Sequence, residues 1–195
     1  MLDEKQIEIA QVHTEEDLQA VGAFRYRCYL AEGLICPRPE QSFLDEFDFV
    51  ESAHIFMIKL FDRIVSTIRL HILDIHDHRS ATMAAFSDLL MPKILSGMTL
   101  VDGARFAVEP DLGALRLSIA RQTLRLYSNF EKSHGVDYGV AAVHDSRIEL
   151  YSRLYGFTQI SEPRSYGDLN KKLVLMGVDF RQIRVGAAQV KYKVK

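Results

Sequence analysis

An aspartate and an arginine stand three residues apart, Asp102 and Arg105, inside the run Val101-Asp102-Gly103-Ala104-Arg105-Phe106-Ala107-Val108. The β-branched and apolar residues around them predict a buried strand. Isolated charges in such a strand are too costly to bury without partners or a ligand. Candidate partners of both signs lie upstream: Arg25 and Arg27, Asp45 and Asp48, then Arg69. A carboxylate in this setting can anchor an amine or take its proton, and a guanidinium can hold a carboxylate bidentately. Converging charges on one strand predict a polar cleft in an apolar scaffold. A buried ion-pair network that only ties the N-terminal segment to a sheet fits the same spacing, and both readings stand.

Other polar groupings carry less. His71-Ile72-Leu73-Asp74-Ile75-His76-Asp77-His78 has metal-ligand residue types but leaves a strand for a polar loop, so no metal is expected. His144-Asp145-Ser146 has the letters of a triad, yet adjacent residues cannot make the relay geometry, and a helix cap is the simpler reading. Arg121, Arg125 and Lys132 share one helical face, which is either solvated or a dock for an acidic partner.

These groups need a scaffold. With 195 residues, 48% hydrophobic and 26% charged, residues 1–195 read as a single globular domain, 181–195 being a basic tail of uncertain order. A net charge of −2 gives no reason to expect nucleic acid. Cys28 and Cys36 match no zinc spacing and read as reduced thiols. The acidic start, Leu2-Asp3-Glu4-Lys5, is unlike a signal peptide, and the apolar runs are strand-sized. A cytoplasmic protein without a membrane span is expected.

Along the chain, Gln6 to Val12 predicts a strand, and Thr14-Glu15-Glu16-Asp17 a capping box opening a helix that Gly33 ends. Strands over 54–61 and 64–73 suit a tight hairpin turning at Asp62-Arg63. A polar stretch follows, then a short apolar segment over 86–95 interrupted by Pro92. The central strand spans about 98–108, and 115–132 is the clearest helix, apolar on two sides and so covered on both. A short strand over 138–143 precedes a helix capped by Asp145 or Ser146 and ended by Gly156, with last strands over 157–160 and 172–180. The order β-α-β-β-β-α-β-α-β-β is that of an α/β domain with helices on both faces of a mixed sheet.

That order, ending in Tyr155-Gly156-Phe157, resembles the GNAT acyltransferase superfamily. Within it, four segments resemble acyl-homoserine-lactone (autoinducer) synthases and N-acyl amino acid synthases. They are Arg25-Tyr26-Arg27-Cys28-Tyr29-Leu30-Ala31-Glu32-Gly33-Leu34, Phe43-Leu44-Asp45-Glu46-Phe47-Asp48, Ser66-Thr67-Ile68-Arg69-Leu70 and Asp102-Gly103-Ala104-Arg105-Phe106-Ala107-Val108. The likeness covers roughly residues 18 to 160. Autoinducer synthases usually carry tryptophan where Leu34 stands and glutamate where Asp102 stands; this chain has no tryptophan. Its Glu109-Pro110-Asp111-Leu112-Gly113-Ala114 also lacks the Arg/Gln-x-x-Gly-x-Gly/Ala loop of acetyl-CoA-using relatives.

The resemblance implies a three-layer α-β-α sandwich with a central mixed, mostly antiparallel sheet. It implies an N-acyltransferase moving a fatty-acyl group from an acyl carrier protein or coenzyme A thioester to an amino-acid amine, with no tightly bound cofactor. In that reading Asp102 is the base or anchor, directly or through water, beside Arg105, and Arg69 and Arg105 pair with Asp45 and Asp48. Arg25 and Tyr29 line the amine pocket, while Phe106, Ala107 and Val108 hold the thioester through their backbone. Arg121 and Arg125 contact the acyl donor's carrier, and Leu100, Leu117, Ile119 and Val143 close an acyl tunnel. Tyr151 and Tyr155 are similar to the tyrosine acid of many GNAT enzymes, though Tyr151 stands one residue too far from Gly156, and packing is the simpler role. The alternatives are an autoinducer synthase using S-adenosylmethionine, an acetyl-CoA-dependent enzyme, and a non-catalytic acyl-thioester-binding module.

Overall fold

The computed structural model describes residues 7–184. Its elements are β1 (Ile7–Gln11), α1 (Glu15–Ala31), β2 (Ala53–Leu60), β3 (Arg63–Leu73), α2 (Ala81–Leu95), β4 (Leu100–Val108), α3 (Leu115–His134), β5 (Tyr138–Val143), α4 (Ile148–Tyr155), β6 (Thr158–Gln159) and β7 (Val174–Asp179). The strands form one sheet in the order β1-β2-β3-β4-β5-β7-β6. Only β4 and β5 pair in parallel; the other neighbours are antiparallel.

Alternation along β4 assigns the layers. Val101 packs with Leu124, Tyr127 and Phe130 of α3 and Tyr151 of α4. Leu100 turns the other way, onto Met83, Phe86, Leu90 and Ile94 of α2. Helix α1 lies on this second face, with Phe24, Cys28 and Tyr29 against Ala107. The result is the expected three-layer α-β-α sandwich.

Several local expectations need correction. The hairpin turns at Phe61-Asp62, both at positive φ, rather than at Asp62-Arg63. The segment read as polar and then briefly apolar is the 15-residue helix α2. Ser80 caps it by accepting from the Met83 N–H at 3.0 Å, and Met83, Phe86, Leu90 and Ile94 recur at helical spacing on its buried side. Pro92 is tolerated inside because apolar packing outweighs one lost backbone bond. Helix α3 is covered on one side, not two: Ile119, Leu124, Tyr127 and Phe130 are buried, while Leu117, Arg121, Arg125 and Lys132 are exposed. Before α4, His144 rather than Asp145 or Ser146 acts as the cap, accepting from the Ser146 N–H ahead of a short 3-10 turn. Within the 181–195 tail, residues 181–184 are helical and the remainder lies outside the described residues. Among the described residues, no helix is long and apolar enough to cross a membrane.

Two features shape the centre of the sheet. Ladder pairing of β4 with β5 runs only from Leu100–Tyr138 to Gly103–Ala141 and then stops. The Tyr127 hydroxyl braces the paired part, 3.1 Å from the Val101 carbonyl and 3.3 Å from that of Val140. Its ring lies so close to β4 that a Cβ at Gly103 would sit 2.7 Å from it, which is why that position has no side chain. On the other edge of β4, Thr67 opposes Ala107 and Arg69 opposes Ala104, so Arg105 and Phe106 together face Ile68. This is a β-bulge, with Arg105 at φ +53°.

Candidate active site

Where β4 and β5 separate, a cavity of about 660 Å³ opens. Its walls include Gly103 to Val108 of β4, Ala142 and Val143 of β5, Cys28 and Tyr29 of α1, and Leu117, Ala120 and Leu124 of α3. The β5-facing edge of β4 has no strand partner along this wall, leaving peptide groups for a ligand. Leu34, Tyr166, Leu169 and Lys171 bound the cavity from two loops. Those loops are joined by the Asn170 N–H to Leu34 carbonyl bond at 2.8 Å. A smaller apolar space of about 70 Å³, lined by Ile68, Phe106, Tyr127, Tyr151 and Phe157, adjoins it and shares Gly103, Phe106, Leu124 and Tyr151.

The bulge turns Arg105 into a cluster of charges drawn from four segments. Asp45 receives Arg69 through both terminal guanidinium nitrogens, at 2.6 and 3.2 Å, and Arg105 through Nε at 2.9 Å and through a terminal nitrogen. Asp48 receives Arg25 at 2.7 Å and lies 2.8 Å from Arg69. The two aspartates cap a short 3-10 turn over 46–48, Asp45 accepting the Phe47 amide and Asp48 the Asp45 amide. Burial opposes ionisation of both carboxyls, but the surrounding guanidiniums win and hold them below the ordinary carboxylate range. Three arginines against two aspartates leave one net positive charge. Arg105 also stacks over Phe43 and Tyr166, at 4.7 and 5.8 Å to the ring centroids.

The sequence-derived residues thus divide into four groups, with Arg105 in two of them. Arg25, Asp45, Asp48, Arg69 and Arg105 meet in one network, and Tyr29, Arg105, Phe106, Ala107 and Val108 reach the cavity wall. Arg25, expected to line the amine pocket, does not: it is fully buried against Asp48, which supplies the partner its charge needs. Asp102 stands behind the wall: it is 0% exposed and does not line the cavity. Its Oδ1 accepts from the Thr82 hydroxyl at 2.7 Å, and burial pushes its carboxyl up against the pull of the Ser80 and Thr82 hydroxyls. Arg121 and Arg125 lie on the exposed face of α3, outside the cavity. Of the tunnel residues, Leu117 and Val143 line the cavity, whereas Leu100 and Ile119 belong to separate parts of the core.

Arg27 instead pairs with Glu109 at 3.2 Å, largely in solvent. His71 is buried in β3, while the amides of His76 and Asp77 fold onto the Asp74 carboxylate in a turn. Tyr151 packs edge-on to Phe157 at 5.6 Å and lines both spaces. Sequence reasoning missed Thr82, Tyr166, Arg116, Arg147 and Lys171. Tyr166, an aromatic inside the polar run Pro163-Arg164-Ser165-Tyr166-Gly167, was the one with a visible signal.

Chemically, this is an apolar slot with an open strand edge on one wall and a buried cation-rich cluster beside it. It can take an extended thioester arm and an acyl chain, and present charge to a zwitterionic partner. Cys28 in the wall is no nucleophile, since burial pushes its thiol up to about 12.

Comparison with known proteins agrees with this geometry. No curated protein sequence matches the chain. The solved structure of FeeM, an N-acyl amino acid synthase from uncultured soil microbes, superposes with a TM-score of 0.73 at 18% identity, covering 89% of this chain and 90% of that one. The AHL synthase LasI gives 0.62 at 14% identity over 89% and 88% of the two chains. BjaI, a CoA-dependent acyl-homoserine lactone synthase solved with SAM and isopentyl-CoA, gives 0.60 at 17% identity over 89% and 83%. A sequence model of the FeeM N-acyl amino acid synthase family matches residues 20–179, the span that carries the cavity, the charge cluster and the parted strands. The chain belongs to the FeeM family of N-acyl amino acid synthases, which are acyltransferases.

Proposed function

We propose that this enzyme moves a fatty-acyl group from a carrier-protein or coenzyme A thioester onto the amine of an amino acid, in the cytoplasm. The observation that carries the reading is the cavity at the β4–β5 parting, walled by an unpaired strand edge and flanked by the Arg25–Asp48–Arg69–Asp45–Arg105 cluster. The pantetheine arm lies along Phe106, Ala107 and Val108 as an added strand, and backbone amides there receive the developing oxyanion. The amine attacks the thioester carbon, the N–C bond forms, the C–S bond breaks, and the thiolate leaves with one of the nitrogen's protons. Asp102 accepts or anchors the other proton.

Tyr29 in the wall and the cluster's surplus positive charge, which reaches the cavity through Arg105, favour an acceptor with a carboxylate. Leu34 lies in the wall where autoinducer synthases usually carry tryptophan, and an aliphatic side chain there favours an amino acid over S-adenosylmethionine. Exposed Arg121 and Arg125 suit the acidic surface of an acyl carrier protein.

Thiol release is the test, with acyl carrier protein and coenzyme A donors of several lengths against a panel of amino acids and S-adenosylmethionine. Release that depends on an amino acid supports the proposal. Release only with S-adenosylmethionine, or only from acetyl-CoA, overturns it in favour of those enzymes, and donor binding with no release at all makes the chain a binding module. Asp102→Asn should lose turnover while keeping donor affinity.

A further inference from the structure

A buried carboxylate that never touches the cavity cannot meet a substrate amine directly, and the structure offers a connection. The Thr82 hydroxyl, at the first turn of α2, donates to Asp102 Oδ1 at 2.7 Å. The same Thr82 oxygen is 2.8 Å from the hydroxyl of Tyr166. Tyr166 forms part of the cavity wall. We infer that Tyr166 and Thr82 are a two-hydroxyl proton relay joining the cavity to the Asp102 carboxylate. This rests on the acyl-transfer reading above.

Donor directions follow from the end of the chain. An ionised carboxylate only accepts, so the single proton of Thr82 points at Asp102. The Thr82 oxygen must then accept the Tyr166 proton, and the phenol oxygen is left able only to accept. An ammonium N–H is a partner of the right kind. In the transfer step that proton passes to the Tyr166 oxygen, the phenol proton to the Thr82 oxygen, and the Thr82 proton to Asp102 Oδ1. Each hydroxyl ends with one proton, the carboxylate becomes a neutral acid, and the amine is free to attack. After the product leaves, the proton returns to solvent by the reverse path.

The surroundings suit a carboxyl that must change charge state. It is faced by His71 and Arg69 of β3, Arg105 of β4, Tyr127 of α3, Tyr166, and the Ser80 and Thr82 hydroxyls. Burial makes the neutral acid easier to reach, while Arg69 and Arg105 keep the ion accessible. Among the described residues Asp102 Oδ2 has no hydrogen-bond partner, so Oδ1 carries the link to Thr82. In this relay Tyr166, which receives the substrate's proton, is a catalytic residue, and Thr82, which acts through Tyr166 and Asp102, is a positioning residue.

Thiol release is followed from neutral to alkaline pH in wild type, Tyr166→Phe, Thr82→Val and Thr82→Ser. The acceptor is either an amino acid or hydroxylamine, a nucleophile already unprotonated at neutral pH. The relay predicts that Tyr166→Phe and Thr82→Val lose roughly 10²–10⁴-fold in kcat with the amino acid at neutral pH, the range typical of general base catalysis. That loss shrinks as pH rises toward the amine's own pKa and is absent with hydroxylamine. Donor affinity is unchanged, and Thr82→Ser behaves as wild type. Equal losses at every pH and with both nucleophiles, or no loss, overturn the relay alone. A wild-type enzyme that releases no thiol with any amine overturns the acyl-transfer reading and the relay with it.

Discussion

Acid should destabilise this protein well above the carboxylate range, through one histidine. His71 on β3 opposes Asp102 on β4, is fully buried, and neither of its ring nitrogens has a hydrogen-bond partner among the described residues. Burial, reinforced by Arg69, lowers its pKa from 6.5 to about 3. Between those values the unfolded chain binds a proton that the folded one refuses, so stability falls as pH drops from about 6.5. The full shift corresponds to about 5 kcal/mol, and roughly 2 kcal/mol of it is lost between about pH 7 and pH 5. Asp45 and Asp48, with depressed pKa values, add their losses only below about pH 4, where unfolded carboxylates protonate. His54 is pulled the same way as His71 and Asp102 works in the opposite sense, so the reading lies in the difference between variants rather than in the wild-type slope. Urea unfolding of wild type and His71→Leu at both pH values measures it, with m-values compared to confirm a common transition. His71→Leu should lose about 2 kcal/mol less than wild type on acidification over that interval. Parallel pH dependence in the two proteins would refute the argument, and would mean that the imidazole is protonated or water-linked in the folded state.

Three further outcomes follow from the site. Asp45→Ala strips Arg69 and Arg105 of their shared acceptor, and should cost about 3–5 kcal/mol in chemical denaturation; a loss under about 1 kcal/mol would class the pair with surface bridges. Cys28→Ala should keep kcat within about threefold of wild type, because a thiol held near 12 supplies almost no thiolate at neutral pH; an acyl-Cys28 adduct in mass spectra would contradict direct transfer. Reversing Arg121 and Arg125 to glutamate should raise KM for a carrier-protein donor about tenfold or more and leave KM for the coenzyme A donor unchanged; equal effects on both donors would remove the docking role.

What the sequence disclosed depended on how the information was carried. Charges inside apolar runs were legible because burying Asp45, Asp48, Arg69 or Arg105 demands a partner, and the partners were few. Convergence of those four with Arg25 needed only that demand, and it is what the structure contains. The bland and functional readings of that cluster both survive: it ties the 43–48 segment and α1 to the sheet, and it also borders the cavity through Arg105. Helix α2 is masked in the sequence because Pro92 and the polar residues before it outweigh the helical spacing of Met83, Phe86, Leu90 and Ile94. The missing helix had a chemical consequence. Without α2 there was no reason to bring Thr82 near the central strand, so Asp102 was assigned to the cavity instead of behind it.

Side-chain direction along β4 was the other hidden variable. Strict alternation puts Leu100, Asp102 and Ala104 on the α2 face, and the bulge at Arg105–Phe106 then resets the phase. A non-glycine residue at φ +53° inside a strand has no signature in composition or periodicity, yet it turns Arg105 toward Asp45 and leaves the following residues as the cavity wall. Strain of that kind costs about 1–3 kcal/mol and persists only where neighbours over-determine it. Here Asp45, Phe43 and Tyr166 do so together. Arg105, a candidate catalytic group in the sequence, also holds the bulge in place in the fold through Asp45. If that is its work, Arg105→Lys should damage activity through the wall it shapes. A single ammonium cannot reproduce both bonds to Asp45, so donor affinity should fall with turnover. Turnover lost at unchanged donor affinity would return Arg105 to the chemistry.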